Sequence, residues 1–212
     1  RVWQEHVNVY YVADPPTCGL NPAKIGLPAV PTWFEPVEGI KPVDTGVAGL
    51  RRTKALLGDQ GLLGVFITFS CITGNEEMIY HFADHPEALE QVKADRLAEV
   101  ERRFADLMAM APADRPDFLC VGGSGTLVYQ TPEFFRENAL PAVERAIELA
   151  TAAGIPTHVH SCGPEKELVR ILTEETSLTV IDPLEIPPMG DCELAELKRL
   201  YGQKIVLKGN LH

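Results

Sequence analysis

The hydrophobic positions change their period repeatedly along the chain, and the changes mark its elements. Short, nearly continuous apolar runs stand at Leu62 to Phe69, Asp117 to Val121, Pro156 to Ser161, Leu178 to Asp182 and Lys204 to Lys208. Runs of this length are what strands of a covered parallel sheet need, and Leu62 to Phe69 reads as buried on both faces. Val7 to Val12 is a further β-rich run. Between the runs the apolar residues return at helical spacing, over Thr45 to Leu57, Glu76 to Phe82, Pro86 to Met110, Thr131 to Ala153, Lys166 to Glu175 and Asp191 to Tyr201. The longest of these sets Leu89, Val92, Leu97, Val100, Phe104 and Leu107 against a charged face. The punctuation agrees. Thr131-Pro132-Glu133 is a helix start, Gly154 a stop and Pro141 a break, while Asp191 is placed to cap the last helix.

Strand and helix alternate with no hairpin signal between strands, which predicts a parallel sheet with crossover helices. An open doubly wound sheet would lead a glycine fingerprint straight from strand into helix. Gly122-Gly123-Ser124-Gly125 is too far from the helix start at Thr131 for that. A (β/α)8 TIM barrel fits better, because the polar clusters Ser70-Cys71, Gly122 to Thr126, His160 to Cys162, Asp182 to Glu185 and Asn210 to His212 each follow a strand. In a barrel those ends share one rim. About six strands are legible against the eight of a barrel, so the barrel is expected to be incomplete, with its C-terminal strands beyond His212. Residues 1–45, dense in proline and anchored by Trp33 and Phe34, read as an arm or lid of the same domain, and 46–212 as the partial barrel.

Composition narrows the classes. With 212 residues the chain suits one large domain, and no apolar run is long enough to cross a bilayer and no signal peptide opens it, which predicts a cytoplasmic address with no membrane partner. Five cysteines, an odd number without CxxC pairs, read as reduced thiols rather than a disulfide framework. The net charge of −11 argues against nucleic acid, and more weakly against a substrate carrying many carboxylates.

The candidate chemistry lies at His160-Ser161-Cys162-Gly163. Residues two apart on an extended segment share a face, so an imidazole and a thiol converge there, as zinc requires. A packed core cysteine beside a satisfied histidine is the other reading of the same spacing, since two ligands do not complete a site. Asp182 and Glu185 read as catalytic-rim carboxylates that orient a ligand histidine or bind substrate, or else as loop caps. Gly122, Gly123 and Ser124 would bring backbone donors to an anionic group, or simply make a tight turn. Asn210 and His212 fall on the same rim as further substrate-binding candidates, and His158 shares the strand face of His160.

From about Gly61 to His212 the chain resembles the uroporphyrinogen decarboxylase superfamily, in its branch of zinc-dependent, corrinoid-linked methyltransferases. The resemblance rests on Gly154-Ile155-Pro156 leading into His160-Ser161-Cys162-Gly163, on Gly122-Gly123-Ser124-Gly125 followed by Thr131-Pro132-Glu133-Phe134-Phe135, and on Leu184 through Gly190-Asp191 leading to Leu207-Lys208-Gly209-Asn210. It implies a barrel whose rim zinc is held by His160, Cys162 and a later cysteine, expected beyond His212. Cys192, at a helix start, and Cys71 and Cys120, on other strands, are not obvious replacements. It also implies methyl transfer between a corrinoid carried on a partner protein and a thiol or other small molecule, in a direction the sequence leaves open. Two alternatives stand beside it. One is a metal-free decarboxylase, whose arginine-rich opening motif the sequence lacks, offering only an isolated Arg51-Arg52 on a predicted helix; the other is a non-catalytic binding subunit.

Overall fold

The computed structural model describes residues 47–209, and within them five strands pair side by side in chain order, all parallel. They are β1 (Gly64–Phe66), β2 (Phe118–Cys120), β3 (Thr157–His160), β4 (Val180–Asp182) and β5 (Val206–Leu207). The connecting helices are α1 (Val47–Leu57), α2 (Glu76–Asp84), α3 (Pro86–Met108), α4 (Pro132–Phe134), α5 (Leu140–Ala152), α6 (Lys166–Glu175) and α7 (Leu194–Tyr201). The predicted α/β class with a parallel sheet is therefore present. A closed barrel needs eight strands, and the described residues supply five. The predicted arm at residues 1–45, the run Val7 to Val12, and the rim candidates Asn210 and His212 lie outside the described residues.

Strand order never reverses, and crossovers between parallel strands are right-handed, so successive connections fall on one face of the sheet. Burial identifies that face. Leu119, Val159 and Ile181 are wholly buried among Phe135, Val143, Ile147, Leu168, Ile171 and Leu172 of the helical layer. The register places Phe66, Cys120, His158 and Val180 on the opposite face, with Phe118, His160 and Asp182 in the adjoining rows. There Phe66 is 46% exposed and Val206 55%. The expectation that Leu62 to Phe69 is buried on both faces is thus corrected: only Gly64–Phe66 pairs as strand, and its second face is open among the described residues.

Two helix expectations are also revised. Thr131 caps α4 as its sequence suggests, accepting from the Phe134 N–H at 3.2 Å. The break expected near Pro141 takes the form of a change in helix type: a π-helical stretch over Phe135–Ala139 separates α4 from α5, and Pro141 falls in the first turn of α5, where its missing N–H costs nothing. In α3, Val100 and Leu107 reach the core while Leu97, on the flank of that stripe, stays exposed. Gly154 lies just past the end of α5 at φ +70°, as predicted for a helix stop.

Candidate functional site at the carboxyl ends of the strands

His160 is the last residue of β3 and pairs in register with Asp182, the last residue of β4, so the two side chains stand next to each other on the open face. Asp182 Oδ1 accepts from His160 Nδ1 at 2.7 Å. That contact leaves Nε2 to face outward, where it meets Cys162 Sγ at 3.3 Å. The sequence pair therefore converges, and it does so through a carboxylate on the neighbouring strand.

Asp182 is itself a junction. His158 Nε2 lies 3.1 Å from Oδ2, within ion-pair reach but off the line of a good hydrogen bond, and Lys208 Nζ contacts the same oxygen. Burial alone would raise the Asp182 carboxyl, but contacts with His158, His160 and Lys208 outweigh it and hold it far below the usual carboxylate range. In return the bond to Asp182, and after it the bond to Cys162, pushes His160 up to about 10 against the effect of its partial burial. The Cys120 thiol, across the register from His158, is pushed up to about 11 by burial and by the Asp182 charge, with Lys208 opposing.

The loops on either side are held by crossed carboxylates. Glu185 Oε2 accepts from the Gly163 N–H at 2.6 Å and fixes the turn after Cys162. Glu165, fully buried, accepts the Leu184 N–H at 2.7 Å through Oε2. Asp191 Oδ1 accepts from Glu165 N and Lys166 N, at 2.8 and 2.9 Å. The expectation that Asp191 caps α7 is thereby corrected. It caps α6 instead, from another loop, and Glu193 takes the α7 role by accepting from Ala195 N at 3.2 Å.

Ser161, between the two candidate ligands, points the other way. Its Oγ accepts from the Thr126 N–H at 3.1 Å, and Thr126 Oγ1 meets Ser70 Oγ at 2.5 Å. These three hydroxyl residues are buried and tie the loops after β1, β2 and β3 together. Of the glycine-loop candidates, Gly123 donates its N–H to Ser70 Oγ at 3.0 Å, and the Ser124 carbonyl lies 3.4 Å from Cys71 Sγ. Gly122 is required by packing, since a Cβ there would lie 2.6 Å from Val159 Cγ1. The loop thus sits beside the strand-end cluster and braces it.

Sequence reasoning missed Lys208, Glu165 and Ser161 as members of this constellation. Lys208 follows β5, which pairs with β4; its place one strand from Asp182 becomes visible only once strand order is known. Among the described residues no three His, Cys, Asp or Glu side chains converge as a metal cage, and no helix is long and apolar enough to cross a membrane. Comparison with known proteins gives no match: no protein-family model, no curated protein and no solved structure matches the chain.

Proposed function

We propose that the chain is a zinc-assisted methyltransferase of the uroporphyrinogen decarboxylase-like kind, moving a methyl group between a corrinoid protein and a thiol or other small molecule. One observation carries the reading: a sulfur and an imidazole nitrogen face each other at a strand end while a carboxylate holds the far nitrogen of the same ring. Zinc bonded to nitrogen at about 2.05 Å and sulfur at about 2.3 Å, at a tetrahedral angle, separates the two donors by about 3.6 Å. The observed 3.3 Å is close to that separation. A carboxylate on the second ring nitrogen is the usual companion of a metal-bound histidine. Both donors are of the types zinc takes, and two of them leave the rest of its shell to other ligands.

His160 Nε2 and Cys162 Sγ would hold the zinc, leaving its other positions to a further ligand and to substrate. Bound there, zinc lowers the pKa of a coordinated thiol and supplies electrophilic activation at neutral pH. The protein's own residues set the geometry. Asp182 accepts the Nδ1 hydrogen bond and keeps that proton in place, so the ring, charged at neutral pH, would give up its Nε2 proton to the metal. His158 and Lys208 hold Asp182 in place and in its charged form, and Glu185 fixes the turn after Cys162. The unreversed parallel strand order supports further strands continuing the sheet toward a (β/α)8 barrel, with this cluster at its rim.

The test is zinc content of the reduced full chain and of Cys162→Ser, with methyl transfer from methylcobalamin to a thiol assayed alongside. Loss of one zinc equivalent and of transfer in the variant is expected. No zinc in either protein would overturn the reading and leave metal-free decarboxylation or a binding role.

A further inference from the structure

The sheet delivers a histidine to each oxygen of Asp182. His160 Nδ1 lies 2.7 Å from Oδ1, and His158 Nε2 lies 3.1 Å from Oδ2. Beyond each ring stands a sulfur. For His160 it is Cys162, and for His158 it is Cys120, whose Sγ lies 3.8 Å from Nδ1. The order carboxylate, imidazole, thiol therefore occurs twice about one aspartate, with the roles of the two ring nitrogens exchanged.

The second sequence of contacts is built into the sheet. Cys120 and His158 are register partners on β2 and β3, and partners across a parallel pair point to the same face. The His158 ring is braced edge-on by Phe118, with centroids 5.8 Å apart at 84°. Phe118 in turn fits because its register partner is Gly64, where any Cβ would overlap the Phe118 ring. The His158 side chain is only 12% exposed, so its orientation is set by these neighbours rather than by solvent. Asp182 on Nε2 leaves Nδ1 as the nitrogen turned toward sulfur. The separation of 3.8 Å is near the roughly 3.6 Å that a tetrahedral zinc imposes between a nitrogen and a sulfur ligand. The nearby cation, Lys208, is engaged by Asp182, which offsets its charge.

We propose that Cys120 Sγ and His158 Nδ1 form a second half-site for a borderline-soft divalent cation, next to the pair formed by His160 and Cys162 and sharing with it only Asp182. An ion held there completes its shell with solvent or small-molecule atoms, because no third His, Cys, Asp or Glu of the described residues converges on it. The inference goes beyond the proposed function and can fail or stand separately from it.

The experiment is an anaerobic titration of the reduced, chelator-stripped full chain with cobalt(II), following the thiolate-to-cobalt charge-transfer absorbance, in wild type, Cys120→Ser, His158→Gln and Cys162→Ser. The expected result is two equivalents in wild type and one in each variant, with cooperative thermal unfolding retained. If Cys120→Ser is poorly folded, Cys120→Ala carries the test, because His158→Gln also removes a contact to Asp182 that the first pair uses. Wild-type stoichiometry in folded Cys120→Ser or His158→Gln overturns the second half-site, whatever Cys162→Ser does. A single equivalent lost only in Cys162→Ser leaves the proposed function standing and removes this inference. The opposite pattern, loss in Cys120→Ser and His158→Gln alone, keeps the inference and removes the metal from the first pair.

Discussion

Replacing Glu165 with glutamine should make the protein more stable, and only above mildly acidic pH. Glu165 is fully buried, its Oε2 accepts the Leu184 N–H, and its Oε1 has no hydrogen-bond partner among the described residues. Burial is the largest influence on the carboxyl and pushes it from the ordinary 4.5 up to about 8, against the Leu184 bond, which favours the charged form. In the unfolded chain the proton leaves near 4.5, in the folded chain near 8, so between those values the folded state binds more protons. Stability must then fall as pH rises through that window, and the loss is complete above about 8. At about 1.4 kcal/mol for each tenfold change, the gap sets a ceiling of ~5 kcal/mol, which water entry and local relaxation reduce toward about 2 or 3. The glutamine side chain keeps an oxygen for the Leu184 N–H and cannot ionise. Urea unfolding of reduced wild type and Glu165→Gln at about pH 5 and about pH 8.5, on either side of most of that window, is the assay. The two proteins should differ by less than about 1 kcal/mol at the lower pH, with the variant ahead by at least about 2 kcal/mol at the higher. His160 and Asp182 titrate in both proteins, and their coupling to Glu165 is smaller than the effect of its burial. A gap that is the same at both pH values would refute the assignment of a buried, proton-holding acid.

Two further outcomes test how the site is braced. Gly122→Ala places a Cβ 2.6 Å from Val159 Cγ1 at the end of β2, and the wholly buried Val159 has little room to yield. A loss of about 1–3 kcal/mol is expected by denaturant unfolding; a midpoint equal to wild type would mean that β2 and β3 separate there without cost. Asp191→Ala removes the acceptor for the first N–H groups of α6 and should lower stability by about 1–2 kcal/mol, while Asp191→Asn retains most of it. Equal thermal midpoints for Asp191→Ala and wild type would show that the cap contributes nothing.

The sequence alone specified what depends on neighbours along the chain. The period of apolar residues located α1, α3, α6 and every described strand to within a few residues, because helical and extended backbones present side chains at fixed local intervals. Thr131-Pro132 and Gly154 marked a helix start and a stop for the same reason. The convergence of His160 and Cys162 was legible too, since residues two apart on an extended segment share a face. What lay beyond the sequence is whatever passes between elements. Asp182 meets His160 because β3 and β4 pair in one register; a slip of one residue would turn the carboxylate to the other face. Asp191 looks in sequence like the cap of the helix it precedes, and the fold uses it on α6, since side-chain oxygens accept from whichever unpaired N–H packing brings near. Lys208 and Cys120 joined the Asp182 cluster through strand order, and Leu62 to Phe69 kept an open face because an apolar run does not state how many layers will cover it. Local geometry is written in single segments; registers, trans caps and covered faces are fixed by contacts between segments far apart in the chain, so only the tertiary structure decides them.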